Sequence, residues 1–205
     1  MEKLKLLIGT TNPGKVKEIS AVINGLPIQI SAPADFSIFD DIEETGTSYQ
    51  ENATIKAKFY SQKVPSSLVL GEDSGIIVDS LQDQLGLHTR RWGAGANASD
   101  KEWLDYFMNE MQRFPEASQR KAKFVSHMCL LTPSGDYHFS GETEGYITFE
   151  IEAPLYAGLP LSSVFKPVGF DQVYSALSEE QKNQISHRGK AIEQVKKFLI
   201  DNYGS

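Results

Sequence analysis

The sequence predicts an α/β protein with a mixed β-sheet flanked by helices, and three observations carry that prediction. The apolar run LKLLIG (4–9) passes through TTNPGK straight into a helical pattern, which makes a strand-loop-helix unit. Three later helix starts show a Ser followed three residues on by Glu or Gln, at Ser48–Glu51, Ser99–Glu102 and Ser178–Gln181. This is the capping box, in which side chain and backbone satisfy each other's unpaired groups. Two stretches, 67–81 and 121–151, are rich in apolar and β-branched residues at strand spacing.

In chain order, residues 4–9 read as a buried strand. A helix follows over 13–24, with Asn12 as N-cap, Pro13 at the first helical position and Gly25 as the stop. The second helix is expected over 49–63. SLVLGEDSGIIVDSL (67–81) reads as strand-turn-strand, because four polar or small residues, Glu72-Asp73-Ser74-Gly75, interrupt two apolar runs. A third helix over 100–112 carries Trp103, Leu104, Phe107, Met108 and Met111 on one face, a core stripe to which no function is assigned. QRFPEASQRK (112–121) is the candidate junction between two lobes. Residues 121–151 read as a hairpin turning at PSGD and then a third strand. A short helix over 179–185 precedes a last one that starts at Ser186 as N-cap and runs through AIEQVKKFLIDNY.

With 205 residues, no internal repeat and no long linker, one continuous domain over 1–205 is expected. A net charge of −7 excludes a general nucleic-acid footprint, so any phosphate must be held by local groups. One cysteine, Cys129, forms no internal disulfide, and neither a signal-peptide pattern nor a long apolar stretch is present. The expectation is a cytoplasmic protein with no membrane partner.

Four segments hold residues that suit chemistry. TTNPGK lacks the Walker A spacing and is not a P-loop. It admits two readings: a capped helix start, or an anion site built from the Thr10 and Thr11 hydroxyls, the helix N-terminus at Asn12 and the Lys15 ammonium. In EETGTSYQENATIKA (43–57), Glu43 and Glu44 precede a glycine turn while Asn52 and Lys56 lie four apart on one helical face. That face is either a solvated surface or the wall of a cleft. GEDSG (71–75) ends an apolar run with two carboxylates, costly to bury unless paired, protonated or bound to a hard cation such as Mg2+. The bland alternative is a polar turn. In SHRGKA (186–191), His187 and Arg188 place positive charge where a helix dipole opposes it. Either a functional site or an ion pair with a carboxylate accounts for that. His88, His127 and His138 show no metal-ligand spacing, no zinc site is expected, and no nucleophile elbow is present.

Taken in order, T-x-N-x-x-K, E-x-G with N-A-x-x-K-A, D-S-G and S-H-R resemble the inosine triphosphate pyrophosphatase family, also called the Ham1 or RdgB family of non-standard purine nucleoside triphosphate pyrophosphatases. The likeness runs from Thr10 to Ala191. It implies an elongated α/β fold with a long mixed sheet, two lobes and a central cleft, usually as a homodimer. It implies Mg2+-dependent hydrolysis of ITP, dITP and XTP to the monophosphate and pyrophosphate. By the same resemblance Thr10, Asn12 and Lys15 hold the phosphates with Lys56 assisting, and Thr11 and Asn52 line the substrate site. Asp73 is metal ligand and general base, Glu43 or Glu44 completes the metal site, and Ser74 contacts substrate. Lys182, His187 and Arg188 read the 6-keto edge of the purine. The chain departs from the pattern where a Phe-Gly-Tyr/Trp-Asp stretch is expected, which falls here on GLPLSSVFKP (158–167). Phe165, Phe170 or Trp92 is left to stack on the base. Two alternatives remain: a Maf-like pyrophosphatase acting on modified or pyrimidine nucleotides, and a non-catalytic nucleotide-binding module.

Overall fold

Strand β1 (Leu4–Gly9) leads through a tight loop into helix α1 (Pro13–Ile23), and strand β2 (Ile28–Ser31) returns parallel to β1, pairing Leu4 with Ile28 and Leu7 with Ser31. The computed structural model describes residues 3–40, 42–65, 67–81, 84–95 and 97–204; the His88 side chain lies outside what it describes. Helix α2 (Tyr49–Lys63) precedes strand β3 (Leu68–Val78), which lies parallel to β1 on its other side. Helix α3 (Asp100–Met111), strands β4 (Lys121–Thr132) and β5 (Gly135–Ile147), the short β6 (Phe165–Pro167), and helices α4 (Glu179–Ile185) and α5 (His187–Tyr203) complete the order. The sheet runs β2-β1-β3-β4-β5-β6 and is mixed, since β5 and β6 pair antiparallel.

The helix starts follow the expected chemistry. The Asn12 side chain accepts from the Gly14 and Lys15 N–H groups at 2.9 and 3.2 Å, with Pro13 at the first position. Ser99 and Ser178 form reciprocal boxes with Glu102 and Gln181. Ser48 accepts from the Glu51 N–H as expected, but the Glu51 carboxylate accepts from the Thr47 N–H and hydroxyl.

Two expectations are corrected. Residues 68–78 form one uninterrupted strand, so Glu72-Asp73-Ser74-Gly75 is no turn. A polar tetrad stays in a buried strand when its charges meet opposite charges, and they do so here. The hairpin turn at Pro133–Ser134 is present, but β5 continues unbroken to Ile147, and the next strand is β6 at 165–167.

The chain divides into two compact units. The first holds everything up to Ser74, Ser126–Gly141 and the chain from His187 onward. The second holds Gly75–Val125 and Glu142–Ser186. The proposed junction at 112–121 lies inside the second unit; the boundaries fall within β3, β4 and β5 and just before α5.

In the first unit the sheet has an apolar layer on each side. Leu6, Ile8, Leu68 and Leu70 pack with Ile19, Val22 and Ile23 of α1 and Ile192, Val195 and Leu199 of α5. Leu7, Val69 and Cys129 pack with Ala53, Ala57 and Tyr60 of α2. In the second unit Trp103, Leu104, Phe107 and Met111 are buried with Ile76, Val78 and Phe165. That confirms the α3 stripe as core, where each such side chain contributes about 1.5–3 kcal/mol.

Candidate active site

Successive residues of a strand point to opposite faces of its sheet, and this rule organises the charged cluster of the first unit. On β3, Leu68 and Leu70 face α1 and α5, so Glu72 does as well; Val69 faces α2, and so does Asp73. The adjacent acids therefore serve two separate sets of partners.

Glu72 is fully buried. Its carboxylate meets Lys15 Nζ at 2.7 Å, Arg188 at 3.2 Å and the Ser126 hydroxyl at 3.0 Å. Burial alone would raise its pKa, but the charges of Lys15 and Arg188 outweigh that and hold the carboxyl far below its ordinary range. Arg188 is engaged on every nitrogen: Nε donates to Glu72, Nη1 to Glu18, and Nη2 to the Ser74 hydroxyl at 3.1 Å. Burial works against its charge, yet Glu72 and Glu18 keep the guanidinium pKa raised. The positive residue at the start of α5 is thus explained by ion pairs. Gly141 makes room for this helix start, since a Cβ there would lie 2.2 Å from the His187 carbonyl oxygen.

Lys15 behaves differently. Desolvation pushes its ammonium below the ordinary lysine value, and Lys56 and Arg188 add to that, more than Glu72 and Asp73 restore. Its side chain keeps 15% exposure, and the Glu72 carboxylate 2.7 Å away does not outweigh the desolvation.

On the other face, Lys56 Nζ lies 2.8 Å from Asp73 Oδ1 and 2.6 Å from Glu44 Oε1, and donates to the Glu72 carbonyl at 3.2 Å. Asn52 Nδ2 donates to Asp73 Oδ2 at 3.3 Å while its Oδ1 accepts from the Gly46 N–H, tying the 43–47 loop to α2. Desolvation opposes the Lys56 charge, but Asp73 and Glu44 outweigh it and its pKa is raised. Tyr49, one face of α2 with Asn52 and Lys56, has its hydroxyl pushed up to about 12 by burial first and by Asp73 second. Gly71 lets α2 come this close: a Cβ there would sit 2.1 Å from the Ala53 carbonyl oxygen and 2.6 Å from the Ala57 nitrogen.

The expected residues thus fall into place as follows. Lys15, Asn52, Lys56, Asp73, Ser74 and Arg188 converge in the first unit, and Glu44 joins them, while Glu43 is exposed. Thr10 accepts from the Asn12 N–H and Thr11 is exposed. Asn12 and the first helical N–H groups are spent on the cap, so an anion at this loop would meet mainly the Lys15 ammonium and the threonine hydroxyls. His187 is buried in the first unit. Lys182 belongs to the second unit, with its ammonium 5.0 Å from the Tyr156 ring centroid and 5.8 Å from that of Tyr174.

Sequence reasoning missed Glu18 and the task of Glu72. Glu18 stands three residues after Lys15 on α1, a spacing that puts both on one helical face, and that was the available signal. Among the stacking candidates, Phe165 is fully buried against Phe124 and Tyr174, and Trp92 packs edge-on to Tyr106 and Phe107. Phe170 is half-exposed and follows Gly169, whose φ is +85°; Asp171 beside it is exposed. Leu161–Phe165, within the segment where the resemblance places a Phe-Gly-Tyr/Trp-Asp stretch, are core, and a Gly-Phe-Asp run stands just after that segment at 169–171.

Residues 6–198 match the model of the Ham1 family. The chain belongs to that family. A dITP/XTP pyrophosphatase of Leptospira interrogans is 35% identical over 199 residues, covering 96% of this chain and 98% of the relative. Another of Caldanaerobacter subterraneus is 33% identical over 197 residues, covering 96% of each. The structure of a HAM1 protein from Coxiella burnetii superposes with a TM-score of 0.80 at 29% identity, over 97% of this chain and 99% of that one. The mixed α/β fold and the enzyme class expected from the motifs, a nucleoside triphosphate pyrophosphatase, are those of these Ham1 relatives. No helix among the described residues is long and apolar enough to cross a membrane.

Proposed function

We propose that this Ham1 chain hydrolyses dITP, ITP and XTP with Mg2+, releasing the monophosphate and pyrophosphate. The single observation that carries the reading is Asp73 held between Lys56 and Asn52 with Glu44 on the same ammonium. A carboxylate has about four lone-pair positions, and Asp73 uses one on each oxygen. The remaining pairs suit a base that takes a proton from water as it attacks the α-phosphorus. The bond to the β-phosphate oxygen breaks, and pyrophosphate leaves with the bonding electrons.

Phosphoryl transfer needs charge neutralisation and in-line positioning more than covalent help. Lys15, partly exposed and with a lowered pKa, gains from an anion, so a triphosphate would offset what desolvation takes from its charge. Lys56 assists from the other face, while Thr10 and Thr11 offer hydroxyls. Asp73 and Glu44 are hard oxygen ligands sharing one ammonium, a donor set that fits Mg2+, which takes one or two carboxylates plus phosphate oxygens. When bound, the ion neutralises phosphate charge. Arg188, with its fork filled by Glu18, Glu72 and Ser74, orients these groups. Base recognition falls to His187 as a donor to a 6-keto group; a donor left without its acceptor rejects a 6-amino purine. A cytoplasmic homodimer completes the reading.

The test is pyrophosphate release from dITP, ITP, XTP, ATP, dTTP and UTP with Mg2+. The account expects the deaminated purines to lead. Preference for dTTP or UTP would favour Maf-like specificity, and no release from any of them would leave a binding module.

A further inference from the structure

Cys129, Asp136 and His138 come from opposite strands of the β4–β5 hairpin, and their ligand atoms all lie within 4.8 Å of one another. Asp136 and His138 are two apart on β5 and therefore share one face of the sheet. Cys129, the chain's single cysteine, is fully buried on β4, while the other two are exposed above it. The linear spacing of the histidines gives no hint of this group; it takes the hairpin to create it.

We propose that Cys129, Asp136 and His138 bind a transition-metal ion of the Zn2+ class, at a site separate from the Asp73–Glu44 carboxylates. Thiolate, imidazole and carboxylate are the three ligand types of such sites, and a sulfur ligand selects against Mg2+. Ligand atoms around a tetrahedral Zn2+ lie roughly 3–4 Å apart, given bond lengths of about 2.0–2.3 Å. The group is close to that spacing already, and small rotations of two exposed side chains close it. A water molecule takes the fourth position. The surroundings suit a coordinated thiolate. Burial and the Asp136 charge disfavour a free one, while the Thr54 hydroxyl and the Lys58 charge pull the other way. A metal ion therefore supplies the compensation that a buried thiolate lacks there.

The test uses tag-free full-length protein titrated with Zn2+ against a chromophoric chelator, and with Co2+ as a spectroscopic probe. Wild-type protein is expected to take one Zn2+ per chain and to show a thiolate-to-cobalt charge-transfer band. Cys129→Ser abolishes that band. His138→Ala and Asp136→Asn, both at exposed positions that tolerate change, each weaken Zn2+ binding at least about tenfold. Zn2+ raises the unfolding midpoint of wild-type protein but not of His138→Ala. No Zn2+ uptake by wild type, equal uptake by all four proteins, or a loss confined to Cys129→Ser would each overturn the three-ligand site.

Discussion

Glu72 and Asp73 are adjacent acids on one strand, yet the two faces of β3 treat them differently. Glu72 itself has no exposure: Lys15, Arg188 and Ser126, supplied by α1, α5 and β4, meet its carboxylate, and Glu18 holds Arg188. The Asp73 face is partly open, since Glu44 reaches Lys56 from a loop and keeps 22% of its side chain exposed. The lysines differ in the same sense. Burial wins at Lys15 and lowers its pKa, whereas carboxylates win at Lys56 and raise it. Under the proposed function this is a division of labour: Glu72 would assemble cations for an anionic substrate, and Asp73 would be the acid left for chemistry.

The strongest way to break this comparison is Glu72→Gln, which leaves the buried Arg188 and the part-buried Lys15 without their shared carboxylate. Losing one partner of a buried pair costs about 3–5 kcal/mol, to be read by denaturant unfolding. The effect also has a pH signature. Because the folded pKa of Glu72 lies below the unfolded value near 4.5, its stabilisation is complete above that pH and is lost as pH falls through the folded value. The acid limb of the stability profile should therefore flatten in Glu72→Gln. Gly71→Ala comes next. The added methyl group meets helix backbone and not a flexible side chain, so about 1–3 kcal/mol of stability should go and Lys56 should move away from Asp73. Calorimetry checks the first effect and turnover the second.

Lys15→Ala sharpens the comparison on the substrate side. It should weaken triphosphate binding more than monophosphate binding, as measured by isothermal titration; equal losses would place Lys15 away from the outer phosphates. In the wild type, triphosphate affinity should fall as pH rises through the lowered Lys15 pKa, because only the protonated ammonium attracts phosphate. The smallest effect concerns Tyr49. Replacing Asp73 with Asn removes the nearby negative charge, so phenolate absorbance should appear at lower pH than the wild-type value of about 12.

Much of the fold was legible because helix starts declare themselves locally. Asn12-Pro13, Ser99 and Ser178 fixed three helix boundaries through side chain to backbone bonds that involve only neighbours. Strands were less legible. β2 is only four residues, Ile-Gln-Ile-Ser, too short a run to stand out, and β3 reads as two strands because EDSG looks like a turn without its counter-charges. Those counter-charges, Lys15, Lys56 and Arg188, lie 17 to 116 residues from the β3 acids they meet. Glu18 lies 170 residues from the Arg188 it meets, so that pairing shows only in the fold. The motifs named most of the cluster's members; only the fold shows which acid each cation serves.

The most direct test of this account is pyrophosphate release from XTP and dITP by Asp73→Asn, run beside Glu72→Gln. Asp73→Asn should lose about 10²–10⁴-fold in turnover while still binding nucleotide and unfolding near the wild-type midpoint. Glu72→Gln should show the larger loss of stability. Asp73→Asn turning over near the wild-type rate would contradict the assignment of Asp73 as the base, and with it the division of labour across β3.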